Sequence, residues 1–401
     1  MGPSTRTPAP GTRPRNRRAL IVAAASTLFH RRGYAAVSVA DIAAAVNVGG
    51  SALYRHFGTK ADILVAAIEA DLARYAAAFD ETEGSTLRET LDALAAVAVD
   101  HPALGVLWQR EARNLDDSRL GVLRERLREL TARLAARLRT ARPDLGEADA
   151  DLLAWCTVGA LVSIGFHNAR LSRAATIALL SRIAGAIAHT RLESGSEEPR
   201  DITPSRPRDS TKAQVIDRAV ELFADRGFTG VGMDEIGAAV GIAGPSIYSH
   251  FSSKQVILAT VMEEGRQRLM ADTDRVREAG GSAGDQLRGL IATYVRLAVG
   301  DRSLIRILLS EQDELPDVER REARRVQREY IDLWVALRQQ LVDEDAVTAR
   351  IRVQAVLLVV KDVVQTPHLY RRPQLARELE LVGEAVLCEP EASGPQRSAG
   401  R

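Results

Sequence analysis

One stretch of this 401-residue chain is written twice, so any fold for it must be a unit made two times. Leu28-Phe29, Arg32-Gly33-Tyr34, Asp41-Ile42-Ala43-Ala44-Ala45-Val46, Leu53-Tyr54-Arg55-His56-Phe57, Lys60 and Ile63-Leu64 form the first copy. They return 194 positions later, without a gap, as Leu222-Phe223, Arg226-Gly227-Phe228, Glu235-Ile236-Gly237-Ala238-Ala239-Val240, Ile247-Tyr248-Ser249-His250-Phe251, Lys254 and Ile257-Leu258. Beyond this block the likeness thins. Leu104, Leu107, Glu111 and Leu115 answer to Leu304, Ile307, Glu311 and Leu315 at an offset of 200, so a few residues were inserted between. The duplication therefore runs the length of the unit. Between the copies, Glu193 to Thr211 is rich in Ser, Pro and charge, the composition of a linker. As a coil it reaches roughly 25 Å, compatible with units lying side by side.

The residue types favour helix throughout. Ala, Leu, Arg and Glu dominate, 46% of residues are hydrophobic and only 4% aromatic, which points to an all-α chain with enough apolar material for sizeable cores. Cys156 and Cys388 sit far apart in apolar helical runs and read as buried thiols in a reducing cytosol, not as a disulfide framework. The start has no apolar stretch after its basic residues and carries Arg6 where a myristoylation pattern needs Ser or Thr. The longest apolar run, Leu152 to Phe166, is shorter than a membrane span and rich in small residues, so a buried helix is expected. A cytoplasmic protein with no membrane partner follows. No nucleophile elbow, phosphate loop, dinucleotide fingerprint or HExxH pattern is present, and no Cys/His cluster, so no catalytic residue, cofactor or metal is expected.

Within each copy three helices are legible. Arg18 to Arg31 spaces Ile21, Ala24, Leu28 and Ala25, Phe29 along one face, and Gly33 stops it as a left-handed cap. Ser38 and Asp41 make a capping-box-like start to a helix that buries Val39, Ile42, Ala43 and Val46. Asn47 in one copy and Gly241 in the other tolerate the positive φ of a tight turn. A short helix follows, Gly50 to Arg55, whose counterpart opens favourably with Pro245 in its first turn. Two helices and a tight turn of this kind are a helix-turn-helix, whose second helix enters the major groove of DNA.

The combined pattern, Phe-x-x-x-Gly-aromatic, then Ile-Ala/Gly-x-x-Val, then Leu/Ile-Tyr-x-His-Phe-x-x-Lys-x-x-x-Leu, resembles that of TetR-family repressors and covers about 50 residues of each copy. The doubling, with Leu107-Trp108-Gln109-Arg110-Glu111-Ala112-Arg113, resembles the actinobacterial tandem TetR repressors of lipid-uptake and lipid-catabolism operons. The resemblance implies a basic disordered arm (1–14), a first DNA-binding head (15–75) and a helical body (76–192). A linker (193–208), a second head (209–269), a second body (270–389) and a disordered tail (390–401) follow. It also implies that the last two helices of each body form a four-helix bundle with the other unit, so that one chain acts as a pseudo-dimer on an operator.

Carried over by motif position, the base-facing candidates are Gly50, Ser51, Ala52 and Arg55, then Gly244, Pro245, Ser246 and Ser249. The phosphate candidates are Ser38, Tyr54, His56 and Lys60, then Tyr248, His250 and Lys254, since hydroxyl, imidazole and ammonium groups all donate to phosphate oxygens. Arg55 alone can grip a guanine bidentately. Phe57 and Phe251 are expected in the core, while His56 and His250 stand between phosphate contact and helix packing. Residues 1–60 hold nine Lys or Arg against one acid, Asp41, whereas 206–258 hold six of each sign. Such a basic block marks either a nucleic-acid surface or a partnerless tail. Trp108, Trp155 and Phe166 in the first body, and Tyr294, Tyr330 and Trp334 in the second, stand as ligand-cavity candidates against a plain reading as core. Two functions are then open: a repressor released by a small hydrophobic, lipid-like effector, or an architectural DNA-binding protein without one.

Overall fold

The computed structural model of the chain describes residues 17–49, 53–167, 171–193, 210–242 and 244–388. The expected arm and tail, all but the first residue of the linker, and Gly50, Ser51 and Ala52 lie outside them. Every regular element among the described residues is helical, as the composition requires. The chain divides into two compact units, with the division inside helix Arg173–His189 near residue 184.

The first head begins with helix Arg17–Arg32, whose apolar face buries Ile21, Val22, Ala25 and Phe29. Burying a side chain the size of Phe29 contributes about 1.5–3 kcal/mol. Gly33 ends the helix at φ +79°, donating its N–H to Phe29 O at 2.9 Å. Helix Val39–Ala45 starts from a full capping box: Asp41 N–H donates to Ser38 Oγ at 3.0 Å and Ser38 N–H to Asp41 Oδ2 at 2.8 Å. Ile42 and Ala43 are buried, while Val39 and Val46 are half-buried at the margin. Asn47 turns the chain at φ +54°. Leu53 and Tyr54 are helical and Arg55 already lies in the turn, so the short helix ends one residue earlier than its pattern suggests.

Helix Lys60–Glu81 serves head and body at once. Its first turns bury Ile63 and Leu64 against the first helix, and its later turns bury Leu72, Tyr75 and Phe79 against helices Leu87–Asp100 and Asp117–Ala141. The body continues through Ala103–Val106, a π-helical turn Leu107–Glu111, and helices Glu147–Val162 and Arg173–His189. Glu147–Phe166 is long and apolar enough to span a membrane by length and composition, yet Leu152, Leu153, Cys156 and Leu161 are buried inside the unit.

The second unit repeats the order: Thr211–Arg226, Met233–Ala239, Gly244–Ile247, then Lys254–Ala279 leading into a body of Ala283–Gly300, Arg302–Ser310, Asp317–Leu341, Ala346–Gln365 and Leu375–Leu387. Its core holds a buried ion group that periodicity cannot show. Arg338, wholly buried, donates to Glu344 Oε1 at 2.8 Å and to Leu387 O at 2.7 Å, and Arg352 donates to Glu344 Oε2 at 3.1 Å.

In the first unit Asp71 is 2% exposed. Arg74 donates to its Oδ1 at 2.6 Å, while its Oδ2 has no hydrogen-bond partner. Burial pushes its carboxyl up to about 6, against the pull of Arg74. An acid whose folded pKa lies above its unfolded one binds a proton more tightly in the fold. Stability is therefore lost as pH rises between those two values, and the penalty is complete above the folded one. Asp71→Asn should stabilise the first unit by about 1–3 kcal/mol at neutral pH and by almost nothing near pH 4. Thermal unfolding at the two pH values checks this; an equal gain at both would contradict an ionised, buried Asp71.

Candidate nucleic-acid interface

Several contacts recur in both heads. Tyr34 packs on Phe29 with ring centroids 5.3 Å apart and carries the Lys60 ammonium at 4.1 Å; Phe228 packs on Phe223 at 5.4 Å and carries Lys254 at 4.3 Å. Arg18 lies 5.0 Å over the Phe57 ring and Lys212 lies 5.3 Å over Phe251. Arg32 donates to Ala36 O at 3.1 Å and pairs with Asp41; Arg226 donates to Gly230 O at 2.8 Å and pairs with Glu235. Each arginine thus clips the loop between the first two helices. These cations brace the head, and periodicity alone does not reveal that use of them.

Against this frame, the turn after the recognition helix presents a polar face. Leu53 and Phe57 are buried, and between them Tyr54, Arg55 and His56 are exposed, Tyr54 by 59%. In the second head Ile247 and Phe251 are buried, and Tyr248, Ser249 and His250 are exposed, Tyr248 by 53%. A large aromatic left this open is uncommon on a packed surface and suits a partner that brings its own polar groups. Both histidines face solvent, so helix packing does not account for them. Ser246 is exposed, and its carbonyl accepts from Ser249 Oγ at 2.7 Å. Gly244 and Pro245 open the short helix Gly244–Ile247; their side chains, like all of Gly50, Ser51 and Ala52, lie outside the described residues.

Two expected phosphate contacts are found in other company. Ser38 Oγ donates to Asp41 Oδ2 at 2.7 Å, and these bonds hold the Asp41 carboxyl below its ordinary value, so the cap persists at neutral pH. Gly232 keeps half of that cap, its N–H donating to Glu235 Oε2 at 2.7 Å. Lys254 donates to Phe228 O at 2.6 Å and Val231 O at 2.7 Å, leaving one of its three N–H groups uncommitted by these bonds. Burial lowers the pKa of both Lys60 and Lys254.

The cavity candidates are placed differently in the two bodies. Trp108 and Trp155 are half-buried and Phe166 is 38% exposed. Tyr294, Tyr330 and Trp334 are buried, with Trp334 edge-on to Tyr294 at 6.5 Å and to Tyr330 at 5.7 Å. Motif reading did not single out Glu111 and Glu311 as functional. They reach the heads from the bodies, and the sequence signal they share is to recur together at the offset of 200.

Residues 21–67 and 215–261 match the family described as bacterial regulatory proteins, tetR family. Residues 85–184 and 280–371 each match a tetracyclin repressor-like C-terminal domain. The HTH-type transcriptional activator FasR of Mycolicibacterium smegmatis is 31% identical over 88 residues, which is 22% of this chain and 40% of that protein's length. The HTH-type transcriptional repressor KstR2 of the same organism is 24% identical over 189 residues, 46% of this chain and 91% of that one. Among solved structures, the ketosteroid transcriptional regulator KstR2 of Mycobacterium tuberculosis aligns at a TM-score of 0.39 and 18% identity, covering 45% of this chain and 95% of its own.

The two lysines should separate in experiment. Lys254→Met removes a cation from two carbonyls and a ring, and should destabilise the second head by about 1–3 kcal/mol. Lys60→Met gives up its place over a ring and should cost the first head about 0.5–1 kcal/mol. Hydrogen exchange of each head in the full chain measures both, and a larger loss in the first head would contradict the carbonyl grip.

Proposed function

Because the chain belongs to the TetR family of bacterial regulators and carries that family's head and body twice, we propose that it is a sequence-specific DNA-binding transcriptional repressor. In this reading one chain does the work of two subunits, as a pseudo-dimer acting in the cytoplasm on the nucleoid. The observation that carries the reading is the exposed Tyr-x-His face, Tyr54 to His56 and Tyr248 to His250, held over a buried Phe in each of two heads. Tyr54, His56, Tyr248 and His250 then hold phosphates, with Lys60, Ser38 and the remaining donor of Lys254 beside them. Gly50, Ser51, Ala52 and Arg55, and in the other head Gly244, Pro245, Ser246 and Ser249, face base edges. Body helices shared between the units would supply the pairing that a conventional TetR protein obtains from a second chain.

Release by a small hydrophobic effector is the second half of the proposal. The second body supports it best. Tyr330 Oη and Trp334 Nε1 are buried, and neither has a well-formed hydrogen bond. The two groups interact with each other, and an apolar molecule with one polar end would compete for them. An architectural protein without an effector is the rival, and it predicts diffuse coverage of DNA where a repressor gives a discrete footprint.

Selection from random DNA followed by footprinting should return one operator with two unlike half-sites, their centres about one helical turn apart or a multiple of it. The reading surfaces differ: Arg55 reaches a guanine edge where Ser249 is too short. Residues 1–60 carry nine basic residues against one acid and residues 206–258 six of each, which would give the arm and first head together most of the electrostatic grip. Arg55→Ala should cost about 1–3 kcal/mol of discrimination at one half-site only. Equal losses on operator and random DNA would remove Arg55 from base reading, and two perfect palindromes bound as tightly as the operator would show that the heads read alike. Light scattering of the free protein should give the mass of one chain.

A further inference from the structure

Where the first helix of each head stops, one backbone N–H is left without a helical carbonyl. Gly33 at φ +79° and Gly227 at φ +73° swing the next residue out of the helical path. In the first unit a side chain from the body meets that N–H: Glu111 Oε2 accepts from Tyr34 N–H at 2.9 Å, while its Oε1 takes Arg110 Nε at 2.7 Å. In the second unit Glu311 Oε2 accepts from Phe228 N–H at 3.4 Å. The two glutamates are 5% and 2% exposed. A buried carboxylate is costly unless its lone pairs are used, so its arrival at the same N–H in both units calls for a reason.

Repetition of local structure does not supply that reason. The head residues recur at an offset of 194 and the glutamates at 200, so the contact re-forms across an insertion. The backbones that deliver the carboxylate differ as well. Glu111 ends a π-helical turn, Leu107–Glu111, whereas Glu311 follows the regular helix Arg302–Ser310. Two different local conformations bring one acid to one place. The residue they hold is a junction, because the ring of Tyr34 or Phe228 carries the lysine that opens the helix just beyond the recognition segment.

We infer that Glu111 and Glu311 are positioning residues through which each body sets the orientation of its own head. A displacement of the carboxylate is delivered to Tyr34 or Phe228, and through that ring to Lys60 or Lys254 and the exposed face beyond. The consequence for gene control rests on the reading of these heads as DNA-binding; the mechanical link does not, and it is tested without DNA.

The test is hydrogen exchange of the full chain, followed in peptides over 29–46 and 223–240 and over helix Asp117–Ala141. Glu111→Ala should speed exchange in the first head by about tenfold, leaving the second head and the Asp117–Ala141 helix as they were. Glu311→Ala should do the converse. Glu111→Gln keeps an oxygen that accepts from the Tyr34 N–H and should retain most of the protection. Glu111→Asp keeps the charge but withdraws it by one methylene, and should loosen the head as the alanine does; it carries the test if Glu111→Ala does not fold. Unchanged head exchange in Glu111→Asp or Glu111→Ala would overturn the inference. So would a Gln variant that loosens head and body together, since that marks a side chain needed only for packing.

Discussion

Each head is organised around a knot at the end of its first helix, where a glycine in the left-handed region reverses the chain and an aromatic side chain folds back on the helix it has just left. Phe29 with Tyr34, and Phe223 with Phe228, close that reversal, and a lysine from the next long helix lies on the outer ring. Three elements are thereby fixed at one point: the first helix, the loop into the helix-turn-helix, and the start of the later helix that continues into the body. If the glycine carried a side chain, the positive φ would be strained. Without the ring, the lysine would lose its seat. The placement of the recognition turn and the attachment of head to body both depend on this knot.

Charge in the heads is therefore spent twice. Arg32 and Arg226 brace loops, Arg18 and Lys212 cover core rings, and Lys254 holds two carbonyls of its own head. A simple count of basic residues overstates what remains to meet a polyanion. The exposed face is small, and it differs between heads at Arg55 and Ser249 while sharing Tyr and His. The two heads thus share a scaffold and diverge in surface.

Periodicity and turn chemistry made much of the fold legible. The glycine cap, the Ser38–Asp41 box, the positive φ of Asn47 and Gly241 and the buried Phe57 and Phe251 all follow from local rules, because each involves residues within one helical turn of one another. Other features were not legible for the same reason. The pairing of Glu111 with Tyr34 spans 77 positions, and that of Arg338 with Leu387 spans 49. The apolar bodies carry no motif that distinguishes a half-buried Trp155 from a wholly buried Trp334, since both occupy helical faces of similar composition.

The sequence by itself determined that the unit is helical, that it occurs twice, and that each copy begins with a helix-turn-helix. Those properties reside in spacing, capping residues and the repeat, all of which are local or self-referential. Only the tertiary structure decided which cations are engaged within the heads, which aromatics are buried together, and which body residue reaches each head. These depend on the separation of side chains brought together across helices. At that scale an insertion of a few residues, or a π-helical turn in place of an α-helical one, changes the route by which a group arrives and leaves no periodic trace in the chain.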